Sequence, residues 1–72
     1  MFIEINHTQY NMYSISSFRA VDKKVENSDG TYLDAFFIYY VTNLGYEITE
    51  RFESAELRDE RYAYLKSKFG IE

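Results

Sequence analysis

The sequence contains no cysteine, no proline and no tryptophan, and only three of its 72 residues are glycine. Without cysteine, the chain has neither the disulfides nor the thiolate-bound metals that stabilise many small domains. We therefore expect a single domain over residues 1–72, held together by its own apolar core and by any partner subunit. No apolar run approaches the ~18 residues of a membrane-spanning helix, so we expect no membrane role.

Patterns of catalytic or metal-binding residues are also missing. The only histidine, His7, falls in a predicted turn, and no serine has a base at a recognised spacing. The segment from Asn27 to Gly30 resembles the middle of a calcium loop, but Val25 and Phe36 would occupy the first and twelfth ligand positions. We therefore expect no enzymatic activity, no metal and no cofactor.

Acidic residues outnumber basic ones, with 12 Asp and Glu against 8 Lys and Arg, for a net charge of −4. Neutralising nucleic-acid phosphates requires an excess of Lys and Arg, so the charge argues against nucleic acid as the main partner. The N-terminus lacks the basic start and the cleavage site of a secretory signal. The expected location is therefore the cytoplasm.

Aromatic residues are abundant: the chain has eight Tyr and six Phe. The run from Tyr32 to Thr42 is rich in aromatic and β-branched residues and predicts a strand. Before it, Asp29-Gly30 predicts a two-residue type I′ turn that closes a hairpin with a strand starting at Phe18. A second two-residue turn at Leu44-Gly45 leads to an alternating strand from Tyr46 to Phe52.

The two ends of the chain complete the predicted fold. Ser54 is a good N-cap and Gly70 a natural stop, so residues 54–69 are predicted to form one amphipathic helix. Near the N-terminus, Phe2 to Ile5 predicts a short strand, and Tyr10 to Ile15 returns beside it. The predicted fold class is α+β: an antiparallel meander of three to five strands with one C-terminal amphipathic helix packed on one face.

Two-residue turns would place Val21 opposite Ile38 and Ile48 opposite Val41, and this register assigns the two sheet faces. The face predicted to lie under the helix carries Phe18, Ala20, Leu33, Ala35, Phe37, Tyr39, Val41, Tyr46, Ile48 and Phe52. The second face is also apolar and is predicted to bind a partner through Arg19, Val21, Tyr32, Phe36, Ile38, Tyr40 and Arg51. Residues 2–15 folding over it, a foreign protein, a second copy and stacked nucleic-acid bases all remain open as its cover.

A second candidate surface is the acidic edge of the last strand and the helix, formed by Glu47, Glu53, Glu56, Asp59 and Glu60. Such a surface can steer a basic partner toward the protein. On the helical wheel the apolar half carries Ala55, Leu57, Tyr62, Tyr64, Leu65 and Phe69. Arg58 and Arg61 also project toward that half, where their stems can cover aromatic rings while their heads reach solvent or a partner.

Several short motifs run through nearly the whole chain: Phe2-Ile3-Glu4-Ile5-Asn6, then Asn11, Ile15 and Phe18, then Phe52-Glu53-Ser54, then the charged helix start from Glu56 to Arg61. In these motifs the chain resembles small orphan proteins of phages, prophages and conjugative elements of Gram-positive bacteria. The resemblance implies a compact sheet-plus-helix accessory protein with no assigned activity, acting in the host bacterial cytoplasm.

These observations together predict a non-catalytic protein-binding accessory protein that self-associates as a homodimer through its aromatic sheet face. One alternative is an acidic inhibitor that occupies a basic site on a host protein handling nucleic acid. The other is a binder of single-stranded nucleic acid that uses the aromatic face.

Overall fold

The structure is a computed structural model and describes residues 1–70 of the chain. Its elements are β1 (Phe2–Ile5), β2 (Thr8–Asn11), a short 3-10 helix (Met12–Ser14), β3 (Ile15–Glu26), β4 (Tyr32–Thr42), β5 (Glu47–Phe52) and α1 (Ala55–Lys68). Strands β3, β4 and β5 form an antiparallel meander, and β1 and β2 form a separate antiparallel hairpin. The predicted α+β class, with one C-terminal helix on a meander, is confirmed.

Both loops of the meander contain three residues rather than the predicted two. The amide of Gly30 donates to the carbonyl of Asn27 (3.1 Å), and the amide of Gly45 donates to the carbonyl of Thr42 (2.9 Å). Both glycines have positive φ, 87° and 88°. A type I turn followed by a left-handed glycine gives this three-residue loop, whereas a type I′ turn would also need positive φ at Asp29, which keeps a negative value.

The longer loops shift each strand pairing by one residue. Ile38 lies opposite Ala20 instead of Val21, and Ile48 lies opposite Tyr40 instead of the next residue along β4. Side chains alternate between the faces of a strand, so one residue of slip exchanges the faces. The two slips cancel between β3 and β5, and β4 alone is turned over relative to the prediction.

The core therefore lies on the other side of β4 from the predicted one. Its buried cluster consists of Ile3, Ile5, Met12, Ile15, Ile38, Tyr40 and Leu65. Phe18, Ile48 and Phe52 pack against this cluster, as predicted. Because the cluster combines residues of the N-terminal segment, β4 and α1, the β1–β2 hairpin and the helix both lie on this side of the sheet.

The inversion of β4 overturns the predicted assignment of its side chains. Ile38 and Tyr40, predicted to face a partner, are fully buried under the helix and the N-terminal segment. Phe37, Tyr39 and Val41, predicted to be core, lie on the opposite face because they alternate with these buried residues.

The helix begins and ends where the sequence predicts. The Ser54 side chain accepts a hydrogen bond from the amide of Leu57 (3.2 Å), and Gly70 follows the helix with a φ of 72°. No helical segment among residues 1–70 combines the length and the hydropathy that a membrane span requires. The inward face of α1 agrees with the prediction in part: Leu65 and Arg58 are buried, whereas Leu57 and Tyr64 are 47% and 48% exposed.

Arg58 explains the orientation of the helix. Its guanidinium bonds the carboxylate of Asp22 and the carbonyl of Val21 (3.2 Å) on β3, and it lies 5.7 Å from the centre of the Phe36 ring on β4. Its Nε donates to Asp59 on the helix itself (2.8 Å). The head of Arg58, predicted to reach solvent or a partner, is thus held within the chain, where it lies over an aromatic ring.

A second polar contact joins the helix to β4 and β5. The hydroxyl of Tyr40 donates to Glu50 Oε1 (2.6 Å), and Arg61 Nε approaches the same oxygen at 3.4 Å. Arg61 also donates from Nη2 to the carbonyl of Glu4 on β1 (2.5 Å). This network fixes the helix against the sheet and against the N-terminal hairpin.

Candidate functional site

The sheet face opposite the helix carries no layer of its own within residues 1–70. We call it the uncovered face. It presents Ser17, Arg19, Val21, Lys23 and Val25 from β3, Leu33, Ala35, Phe37, Tyr39 and Val41 from β4, and Glu47, Thr49 and Arg51 from β5. The helix and the β1–β2 hairpin are both on the other side, because both supply residues to the cluster around Ile38 and Tyr40.

The centre of the uncovered face is an apolar stripe along β4. The rings of Phe37 and Tyr39 are neighbours, with centroids 6.0 Å apart and planes tilted by 52°. Both rings are partly buried, as are Val41 beyond them and Val21, which lies opposite Phe37 on β3. These side chains are therefore partly covered, and the rest of their surface is exposed to solvent.

Two arginines stand beside the rings. The guanidinium carbon of Arg19 on β3 lies 5.5 Å from the centre of the Tyr39 ring, and that of Arg51 on β5 lies 5.8 Å from the centre of the Phe37 ring. Both arginines are exposed. Aromatic rings flanked by arginine form the residue combination that is enriched among binding hot spots.

The charge of the uncovered face is opposite in sign to that of the chain. Three bases, Arg19, Lys23 and Arg51, stand with one acid, Glu47, although the net charge of the whole chain is −4. None of the ion pairs between residues 1–70 involves any of these four side chains. The charges are also distributed unevenly, since β3 contributes two of the bases, whereas β5 contributes one base, Arg51, and the one acid.

The structure divides the predicted partner-binding set between the two faces. Arg19, Val21 and Arg51 do share the uncovered face, whereas Tyr32, Phe36, Ile38 and Tyr40 alternate onto the helix side. The seven side chains therefore do not form one surface, because the one-residue shift in register turned over β4 alone.

Sequence reasoning missed Phe37, Tyr39 and Val41 as surface residues, although the turns carry a usable signal. Asn27 stands three residues before Gly30, which matches the first and last positions of a type I turn. In the second turn, a two-residue loop would have required positive φ at Leu44, which a bulky side chain disfavours.

The predicted acidic edge is not one continuous surface. Glu56, Asp59 and Glu60 are exposed on α1, on the helix side of the sheet. Glu47 projects from the uncovered face, and Glu53 lies in the bend between β5 and α1. The helix acids and Glu47 therefore lie on opposite sides of the sheet.

Groups suited to metal binding do not cluster in the part of the chain that the structure describes. No cluster of three or more His, Cys, Asp or Glu side chains there could hold a metal ion. His7 is exposed in the β1–β2 turn, where Asn6 and His7 both have positive φ, 52° and 68°. Two consecutive residues with positive φ form a two-residue type I′ turn, the turn type that the sequence predicted at Asp29-Gly30.

Comparison with protein-family profiles, curated proteins and solved structures finds no match to this chain. The resemblance to small orphan phage proteins therefore stays a prediction. The function is best inferred from the geometry and charge of the uncovered face.

Proposed function

We propose that this protein is a non-catalytic protein-binding module that engages its partner through the uncovered face. The observation that carries the proposal is the apolar stripe of Phe37, Tyr39 and Val41 on β4, flanked by Arg19 and Arg51 and left without a covering layer. The exposed face of an antiparallel sheet is ordinarily polar, because it faces water. A protein partner would bury the stripe and keep the arginines at its rim.

The sheet shape supports the same proposal. Strand β5 pairs with β4 only from Phe36 to Val41, so the segment from Tyr32 to Ala35 is paired with β3 alone. A two-stranded ribbon is marginally stable in water. This ribbon also bears Val25 and Leu33 on the uncovered face, and a partner lying along the face would stabilise it.

A photoreactive amino acid tests the proposal directly. With benzoylphenylalanine in place of Tyr39, we expect irradiation in cells of the source organism to give a covalent protein adduct. The same group in place of Tyr64, which is 48% exposed on the helix, serves as the matched control and is expected to give little adduct. Mass spectrometry of the adduct identifies the partner, whether it is this chain or another protein.

Equal yields at the two positions would contradict the proposal, because they would show that the uncovered face is contacted no more than any exposed site. An adduct confined to position 39 would support it.

A second candidate function is binding of single-stranded nucleic acid, favoured by the convergence of rings and bases. Phe37 and Tyr39 lie next to each other on a face that also carries Arg19, Lys23 and Arg51. Bases stack on such rings, and the cations contact phosphates. The net charge of −4 opposes this function, because it repels the polyanion at long range.

A titration with oligothymidine at low salt tests this second function. If it is correct, tyrosine fluorescence is quenched on binding, and Tyr39→Ala weakens the affinity about tenfold, since stacking contributes ~1–3 kcal/mol per base. Tyr64→Ala on the helix is the control and leaves the affinity unchanged. Absence of quenching at the highest oligonucleotide concentration would rule the function out.

The place of action belongs to the proposal as well. The resemblance of the sequence to small proteins of phages and mobile elements supports an accessory role in a bacterial cytoplasm. Recovery of a bacterial cytoplasmic protein as the adduct at position 39 would support that location.

A further inference from the structure

The proposed function leaves the chemistry of the partner open, and the charge of the uncovered face specifies it. We infer that the partner presents a protein segment in which Asp and Glu flank apolar residues. The inference rests on the proposed function and adds to it the chemical class of the segment that binds.

The uncovered face is basic on an acidic chain. Arg19, Lys23, Arg51 and Glu47 give it a charge of +2, whereas the whole chain carries −4, so the remaining residues carry −6. All four side chains are exposed and form no ion pair within residues 1–70. Opposite charge on a partner speeds its encounter with such a face and orients it there. The charge that matches this face is therefore negative.

The bases follow the apolar stripe at regular intervals and on both of its sides. Counted along β4, Lys23 stands beside position 35, Arg51 beside position 37 and Arg19 beside position 39. Alternate residues of a strand share a face and lie ~7 Å apart. Carboxylates at this spacing, on the two sides of an apolar centre, would meet all three bases. Glu47 beside position 41 ends the basic stretch, so we expect no acid of the partner there.

The rings beside the bases favour a segment that is apolar as well as acidic. The guanidinium carbons of Arg19 and Arg51 lie 5.5 Å and 5.8 Å from the centres of the Tyr39 and Phe37 rings. A guanidinium binds a carboxylate through two parallel hydrogen bonds. A carboxylate bound in this way stands next to the stripe, so the apolar residues beside it in the partner would pack on the rings.

The same charges disfavour the other occupants of the face. A second copy would bring two faces of +2 together, so the face is not complementary in charge to itself. Single-stranded nucleic acid matches the rings and the bases, but its evenly charged backbone is repelled by the −6 of the remaining residues. A protein segment can place a few acids beside the three bases and remain uncharged elsewhere.

Selection from a phage-displayed library of random dodecapeptides tests the inference. With the immobilised wild-type chain as bait, we expect the enriched peptides to combine Asp and Glu with aromatic or aliphatic residues. A bait with both Arg19→Glu and Arg51→Glu is expected to enrich none of them. The matched control carries Lys24→Glu and Lys68→Glu, which change the net charge equally at exposed positions on the helix side. Circular dichroism checks that each bait is folded, and the control is expected to enrich the same peptides as wild type.

A synthetic copy of an enriched peptide measures the size and the place of the effect. By fluorescence anisotropy, Arg19→Glu and Arg51→Glu are each expected to raise its dissociation constant about tenfold or more, because each replaces an attraction by a repulsion. Binding is expected to shift the amide NMR signals of residues 37–41 on β4 and to leave those of α1 unchanged.

Enriched peptides that are basic or show no bias in charge would overturn the inference, as would equal enrichment by the two double variants or no enrichment at all. Tighter binding of oligothymidine than of the peptide would overturn it in favour of nucleic acid. A wild-type dimer in sedimentation equilibrium that the Arg19→Glu and Arg51→Glu pair abolishes would overturn it in favour of a second copy. A protein adduct at position 39 would still support the protein-binding function, whereas equal adduct yields at positions 39 and 64 would show that the proposed function has failed as well.

Discussion

Replacing Ile38 with glutamate is expected to unfold the chain, whereas the same replacement at Phe37 is expected to leave it folded. Ile38 is fully buried among the helix, β4 and the N-terminal segment. Ile38→Glu loses this burial and places a carboxylate in the core, at a cost of more than about 5 kcal/mol. A chain of 72 residues has a free energy of unfolding of about 4 to 11 kcal/mol, so this cost removes about half of it or more.

Phe37 directly precedes Ile38 on β4, and its side chain lies on the opposite face of the sheet. It is only partly buried, and its contacts are with Tyr39 and with Arg51, whose guanidinium can pair with a new carboxylate. We expect Phe37→Glu to cost about 1 kcal/mol. Far-UV circular dichroism and urea unfolding of the two variants make the comparison.

The comparison also tests the three-residue loops. With two-residue loops, β4 would be turned over, so Phe37→Glu would unfold the chain and Ile38→Glu would fold. That reversed outcome would contradict the register described above. Loss of the position-39 photo-adduct in a folded Phe37→Glu would additionally support the uncovered face as the interface.

Removing the hydroxyl of Tyr40 is the second change with a large expected effect. This hydroxyl is buried and donates to Glu50 (2.6 Å), which Arg61 also approaches. Tyr40→Phe is expected to lower the free energy of unfolding by about 1.5 to 3 kcal/mol, because the lost bond involves a charged acceptor. Tyr32→Phe is the matched control: Tyr32 is 65% exposed, and its replacement is expected to have little effect.

The difference between wild type and Tyr40→Phe should depend on pH in a defined way. Burial, together with the hydrogen bond to the Glu50 carboxylate, raises the pKa of Tyr40 well above its ordinary value of 10.0. A raised pKa in the folded state means that the stabilisation is complete below pH 10 and is lost as pH rises toward the folded-state value. The stability gap should therefore be constant below pH 10 and narrow above it.

Urea unfolding of wild type, Tyr40→Phe and Tyr32→Phe at several pH values from neutral to strongly alkaline measures this gap. A gap that stays constant through the alkaline range would show that the hydroxyl titrates alike in folded and unfolded chains. It would thereby contradict the buried contact with Glu50.

The candidate site shows how closely sequence reasoning approached the structure. The alternation of side chains along the strands predicts a second apolar face flanked by Arg19 and Arg51, with its cover left open. The identity of its central residues did not follow, because the face of β4 depends on the length of two loops. A single residue in each loop decided whether Phe37 or Ile38 faces the helix.

The helix illustrates the same limit. Its ends were set by local chemistry, namely the cap at Ser54 and the glycine at position 70, so the sequence predicted them. Its rotation was predicted only in part, because the wheel places Leu65 and Arg58 toward the apolar half, as found, but also Leu57, which is exposed. Arg58 is buried because it bonds Asp22 and the Val21 carbonyl on a strand 36 and 37 residues away.

The sequence by itself determined the α+β class, the order of the three meander strands and the span of the helix. These depend on turn residues, strand-forming residues and capping residues that act over a few positions of the chain. Only the tertiary structure decided which side of β4 is buried, where the N-terminal hairpin packs and which arginine the helix turns inward. These features depend on contacts between segments that are distant in the sequence. A single arrangement of these segments buries Ile38 and Tyr40 fully and pairs Arg58 with Asp22.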